Sequence, residues 1–418
     1  MHRLRHAGFP LMTTFPSGDG SAAGGGLVRP LGLLWLAGIA MRMTLLAVPP
    51  VIPIIHADLQ MSETQIGLLI GLPLAVFALA AVSGSLLIAR IGTRLALILG
   101  MGIAAIAGGA RGSAFDVGTL YAASIATGFG IAIMQPAMPT LVREWLPGRI
   151  SLGTVAYSNG MVVGALLPPI LTIPFVLPLV DGSWRLDFLA WAVPAALIAV
   201  VFFFFTPRDP HRGEKSHAGF SAIGGLWWPD WKNPVIWLLG LTFGSNNSPF
   251  FGANAFLGDY LASEGESQVL GLALASLNGA QIVALVVLVL MAERMQRRAW
   301  PFLLFGPAML AGFVGLILIP SPLAAVACTG LIGISTALTM TPTLALPALL
   351  VAPADVPRTA AGMFTVSYTC AIVIPTICGA LWDMTGRPWT VFLPLCICCI
   401  GLTVLGAIAA RYRPAKEH

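Results

Sequence analysis

Arg42 is the residue with the most to explain. It sits between Gly38-Ile39-Ala40-Met41 and Met43-Thr44-Leu45-Leu46, near the middle of an apolar run. A charge at that depth in a membrane helix costs a few kcal/mol. Arginine does not escape by losing its proton. It must therefore face a wet cavity or a partner. One chemistry is recognition of an anionic or strongly polar solute through fork-like hydrogen bonds. The other is a tie to carbonyls or amides that holds two helices together. None of the 17 Asp and Glu residues is expected at mid-depth. Asp187 is placed at the start of the sixth apolar run, Asp259 at the end of the seventh and Asp383 at the end of the eleventh. No Lys or His falls at mid-depth either, and His56 is placed at the end of the first run. With no central carboxylate to neutralise Arg42 or to carry a proton inward, the pattern favours a uniporter, an exchanger, or symport in which the anion brings its own proton.

Neutral polar groups supply the rest of a candidate pocket. They are Gln135, Tyr157, Asn159, Asn246, Asn247, Asn278, Gln281 and Tyr368. A buried amide needs a hydrogen-bond partner, so each of these either reads a solute or ties helices. As a set they suggest amide and hydroxyl groups around one positive charge. Gly160-x-x-x-Gly164 allows two helices to approach closely. Pro136 and Pro342 interrupt the helical hydrogen-bond ladder at matched places and form a candidate hinge pair; static shaping of the helix is the alternative.

These residues need a scaffold, and composition says which. Of 418 residues 57% are hydrophobic and only 9% charged, against roughly a quarter charged in a soluble domain. That excludes a cytosolic enzyme, a nucleic-acid binder and a secreted domain, and leaves a helical membrane protein that crosses the bilayer many times. Twelve stretches approach the length that crosses about 30 Å of hydrocarbon: 31–55, 66–88, 95–110, 117–142, 152–177, 184–206, 233–261, 267–291, 300–320, 323–350, 359–382 and 389–410. With both termini placed inside, 18 of the 22 Lys and Arg residues fall in inner segments. Arg111, Arg185 and Arg387 fall in outer loops, so the positive-inside rule sets the orientation. The longest polar segment divides the chain into six and six. The expected layout is a tail (1–30), a six-helix bundle (31–206), an inner linker (207–232), a second bundle (233–410) and a short tail (411–418). Met134-Gln135-Pro136 and Met340-Thr341-Pro342 pair the fourth run with the tenth, as internal repeats of a rocking transporter would.

Several chemistries are absent from the sequence. There is no GxxxxGK[ST], HExxH or GxSxG, and no CxxC pair in a loop: the run Cys396-Ile397-Cys398-Cys399 lies inside an apolar stretch. Cys328, Cys370, Cys378, Cys396, Cys398 and Cys399 lie in apolar runs and read as small buried hydrophobes. No catalytic residue, cofactor or metal is expected.

The chain resembles the major facilitator superfamily. The fingerprint of that family's second-to-third loop is matched by Gly84-Ser85-Leu86-Leu87-Ile88-Ala89-Arg90-Ile91-Gly92-Thr93-Arg94, with Ala89 where the family has Asp. Within the superfamily it looks most like the cyanate/2-nitroimidazole porter group. Arg42 with Pro50, Leu59 with Ser62, Gly67-Leu68 with Leu72-Pro73, Arg111, Gly130-Ile131-Ala132 with Pro139, Trp184-Arg185, Tyr368, Pro375, Gly379, Asp383, Gly386 and Trp389 carry that likeness. Span seven, with Ser245-Asn246-Asn247-Ser248-Pro249, departs from it. The resemblance implies an all-α membrane protein of twelve helices in two pseudo-symmetric six-helix bundles. It implies rocker-switch transport of a small anionic or polar solute such as cyanate or a small carboxylate, or else efflux of a neutral heteroaromatic of the nitroimidazole type. Gly84, Arg90, Gly92 and Arg94 would serve the gate. A bacterial-type inner membrane, a monomer, and a coupling proton or counter-anion complete the expectation.

Overall fold

The computed structural model describes residues 24–146, 149–206, 228–295, 298–319, 321–352 and 355–412. The tail 1–23, most of the linker 207–232 and the end of the chain from 413 lie outside the described residues, as do the side chains of 78–86 around Gly84. Among the described residues twelve long helices follow one another: α1 (Gly24–Leu46, continued after a break by Ile52–Leu59), α2 (Glu63–Ile91), α3 (Thr93–Ala110), α4 (Val117–Trp145), α5 (Ile150–Leu171) and α6 (Trp184–Phe205). Then come α7 (Pro234–Ser263), α8 (Leu270–Met295), α9 (Trp300–Leu318), α10 (Pro322–Leu350), α11 (Val356–Thr385) and α12 (Phe392–Arg411).

Ten of these stretches are long and apolar enough by themselves to cross a membrane. The described apolar run of α2, Glu63–Phe77, is shorter. Helix α7 is long enough but polar, and the reason is its position. Almost every side chain from Val235 to Leu261 is buried among other helices. Its Asn and Ser residues therefore meet protein, and the bilayer never has to solvate them.

The helices pair with an internal symmetry. Helix α1 packs on α5, α2 on α4, and α3 on α4 and α6. Advancing each number by six gives α7 on α11, α8 on α10, and α9 on α10 and α12, and these pairs are all present. The same operation exchanges α2–α11 with α5–α8, the two extensive contacts between the halves.

Local chemistry fixes the ends. Ser62 caps α2 reciprocally with Gln65. Asp116 caps α4 by accepting the Thr119 backbone N–H at 2.7 Å, which holds its carboxylate below the ordinary range. Pro49-Pro50 breaks α1, and a π-turn at Thr172–Val176 ends α5 just after Pro168-Pro169. Helices α4 and α10 instead run unbroken through Pro136 and Pro342. The visible interruptions thus fall in α1 and α5, away from the hinge pair chosen from sequence.

Small residues let α1 and α5 touch backbone to backbone. A Cβ on Gly38 would stand 2.2 Å from the Tyr157 carbonyl oxygen, and one on Gly160 2.1 Å from that of Trp35. We therefore expect Gly160→Val to lower stability by about 1–3 kcal/mol. Gly32→Ala, where nothing lies within 4 Å, should leave the melting temperature in detergent unchanged.

Candidate functional site

Arg42 lies on α1 and is half-buried. The Tyr368 phenol of α11 lies near it and also meets the side-chain amide of Gln135 on α4. Among the described residues no carboxylate pairs with Arg42. Tyr368 is locked in place by two rings. Phe77 of α2 meets it edge-on with centroids 5.5 Å apart, and Phe364 stacks on it at 6.0 Å. The fold thus brings a guanidinium, an amide, a phenol and an aromatic wall together from α1, α2, α4 and α11.

The asparagines make hydrogen bonds between helices. Asn246 donates to the Thr336 carbonyl at 3.3 Å and accepts from Thr339 at 2.7 Å, tying α7 to α10. Asn247 donates to Ser367 at 2.9 Å, tying α7 to α11. Asn278 donates to Asn254 at 3.0 Å and joins α8 to α7. Asn159 accepts the indole N–H of Trp35 at 2.9 Å, on the α1–α5 contact. These side chains thus have partners within the helix packing. Tyr157 and Gln281 are half-buried on α5 and α8.

Of the residues expected at the gate, Gly92 takes φ +86° between α2 and α3, a conformation that suits glycine. Arg90 is exposed. Arg94 donates to the Phe203 carbonyl at 2.7 Å, and Thr93 donates to Glu144 at 3.0 Å. These bonds stay inside the first six helices.

The fold also gathers groups whose pairing the sequence could not show. Arg111, expected in an outer loop, is 1% exposed. Its Nη1 donates to the Thr44 carbonyl at 2.8 Å and its Nε to Ser124 at 3.1 Å. Asp187, at the expected first turn of α6, is fully buried. At the end of the molecule that carries His56, three groups converge with ligand atoms within 4.8 Å of one another: His56, Glu63 and Asp259. His56 Nδ1 is 3.2 Å from Asp259 and 3.8 Å from Glu63. This is also the spacing of a metal-ligand set, which no sequence motif announced. Asp383 of α11 accepts the backbone N–H groups of both Glu63 and Thr64 at 2.9 Å. A carboxylate thus caps the N-terminus of a helix in the opposite half, where the helix dipole favours negative charge. Gly379 makes this possible, since a Cβ there would stand 2.2 Å from the Glu63 carbonyl oxygen.

The His56 end is therefore closed, by α2 on α11 and by the Pro49–Leu59 segment on α7. At the opposite end α4 and α10 make no extended contact among the described residues. Losing a helix cap costs about 1 kcal/mol. In a cysteine-free background, Asp383→Ala should speed labelling of Met61→Cys, a position 3% exposed, by an impermeant maleimide. Unchanged labelling would show that this cap does not hold the end shut.

Residues 34–265 match the family model described as Major Facilitator Superfamily. The chain is 24% identical to the cyanate transport protein CynX of Escherichia coli over 388 residues, covering 92% of this chain and 97% of that protein. It is 26% identical to the 2-nitroimidazole transporter of Escherichia coli over 394 residues, covering 92% and 96%. In three dimensions it superimposes on a bacterial homologue of the human lysosomal transporter Spinster, in an inward-facing, unoccupied conformation, with TM-score 0.70. That superposition has 18% identity and covers 94% of this chain and 100% of the other. The twelve-helix arrangement, its internal pairing and this family match lead to one conclusion: the chain belongs to the Major Facilitator Superfamily and is a multi-pass membrane transporter, not an enzyme.

Proposed function

We propose that this transporter carries a small anionic or strongly polar solute, cyanate-like or a small carboxylate, by rocker-switch alternating access. The observation that carries this reading is Arg42, a half-buried guanidinium facing Tyr368 with no carboxylate beside it among the described residues. A charge kept at mid-helix depth without a protein counter-charge is a standing invitation to an anion. Gln135 and Tyr368 add hydrogen-bonding groups that orient it.

The moving bodies in this reading are residues 31–206 and 233–410, joined by the linker 207–232. Lys and Arg placement puts both termini in the cytoplasm of a bacterial-type inner membrane. The His56 end then faces outward, so the closed state described above opens inward. Arg90 and Arg94 lie at the inner end, and Pro136 and Pro342 supply the give in α4 and α10.

A second reading has support from one feature, the Phe77–Tyr368–Phe364 ring set. It offers a flat neutral heteroaromatic, such as a nitroimidazole, a stacking surface beside the Gln135 amide.

Thermal stabilisation of purified protein separates the two. Cyanate and small carboxylates should raise the melting temperature of the wild type. Arg42→Gln should weaken that binding by about 10- to 100-fold, the worth of one charge-assisted hydrogen-bond set. Equal stabilisation of both proteins by azoles, with none by anions, would overturn the anion reading.

A further inference from the structure

Arg111 presents a second and separate problem of charge. It is 1% exposed and the largest of the fully buried side chains among the described residues. Nε and Nη1 are occupied by Ser124 and the Thr44 carbonyl, and its Cζ stands 5.8 Å from the centroid of Phe188. Nη2 is buried with no partner. No carboxylate among the described residues pairs with it. Asp187, next to Phe188 in sequence, is buried near Thr172 and Trp191, and its carboxylate oxygens make no hydrogen bond among the described residues.

Beside Arg111 is a small cavity of about 10 Å³, walled by Leu45, Pro49, Pro73, Phe251 and Asn254 among others. Asn254 offers it little. Its amide nitrogen donates to the Phe250 carbonyl and its oxygen accepts from Asn278. Arg111 is therefore the one charged group on an otherwise apolar cavity.

A water molecule fits this space poorly, because a buried water needs two to four polar partners. It would also leave the positive charge uncompensated in a low-dielectric setting, which is expensive. A small monovalent anion answers both needs. It accepts from a guanidinium N–H, neutralises the charge, and suits apolar walls when it is weakly hydrated. We propose that Arg111 holds a halide-sized monovalent anion at this point. The walls come from the α1 break on one side and α7 on the other, so occupancy favours closure of the His56 end. The inference is independent of which solute passes Arg42.

The test uses full-length transporter in chloride-free gluconate buffer at constant ionic strength. Thermal unfolding is followed while sodium chloride or sodium bromide replaces sodium gluconate. Wild type, Arg42→Gln, Arg111→Gln and Arg111→Lys are run together, and bromide-grown crystals of the wild type are measured for anomalous density. The expected result is saturable stabilisation of the wild type and of Arg42→Gln by both halides, loss of that response in Arg111→Gln, and a bromide peak within hydrogen-bond reach of Arg111. Arg111→Lys keeps the charge and should retain a weakened response. A halide response of full size in Arg111→Gln, or bromide crystals with no peak at Arg111, would overturn the proposal and leave Arg111 as a pin for the Thr44 carbonyl. If Arg111→Gln does not fold, the bromide peak decides alone. Because Arg42→Gln is expected to keep the halide response while losing anionic-solute binding, the two proposals fail separately.

Discussion

A guanidinium at mid-helix depth has to be solvated by something, and much of this molecule is arranged around that requirement. Arg42 keeps its charge in a stretch of α1, residues 31–46, otherwise built from apolar and small residues. Here the answer is not a carboxylate. It is the nearby phenol of Tyr368 from α11, itself met by the Gln135 amide of α4, together with the partial access that leaves Arg42 half-buried. Tyr368 holds that position because Phe77 and Phe364 brace its ring. The glycine contacts of α1 with α5 set where α1, and hence Arg42, stands.

The two ends of the molecule are held by different physics. At the His56 end, titratable side chains of one half meet side chains and backbone N–H of the other. These bonds are directional, and all are lost together when the halves separate. At the other end, Arg94 and Thr93 spend their hydrogen bonds within the first six helices. With Ala89 in place of the acidic member of the family fingerprint, a carboxylate latch at that position is missing from the sequence itself. An asymmetry of this kind favours a resting state closed at the His56 end.

Helix number and approximate bounds were legible in the sequence because hydropathy reports directly on the bilayer. Helix α7 shows the limit of that signal. Its polarity is buried against other helices, so composition understates how firmly it is embedded. Arg42 and Tyr368 stood out because a charge and a phenol in apolar runs are costly. The asparagines stood out for the same reason, but cost alone does not say who compensates it. Asn246 and Asn247 turned out to face Thr339 and Ser367, partners more than a hundred or nearly a hundred residues away. Arg111 and the His56–Glu63–Asp259 group were missed for a related reason. Each lies at a helix end, where a charge reads as solvated until the tertiary packing covers it.

The most direct test of the central claim is flux. Purified transporter in liposomes, with radiolabelled cyanate on one side, isolates Arg42 from every other function of the chain. The account predicts saturable, protein-dependent cyanate movement that depends on membrane potential and falls sharply in Arg42→Gln. Equal flux in the two proteins, or movement of neutral azoles alone, would contradict it.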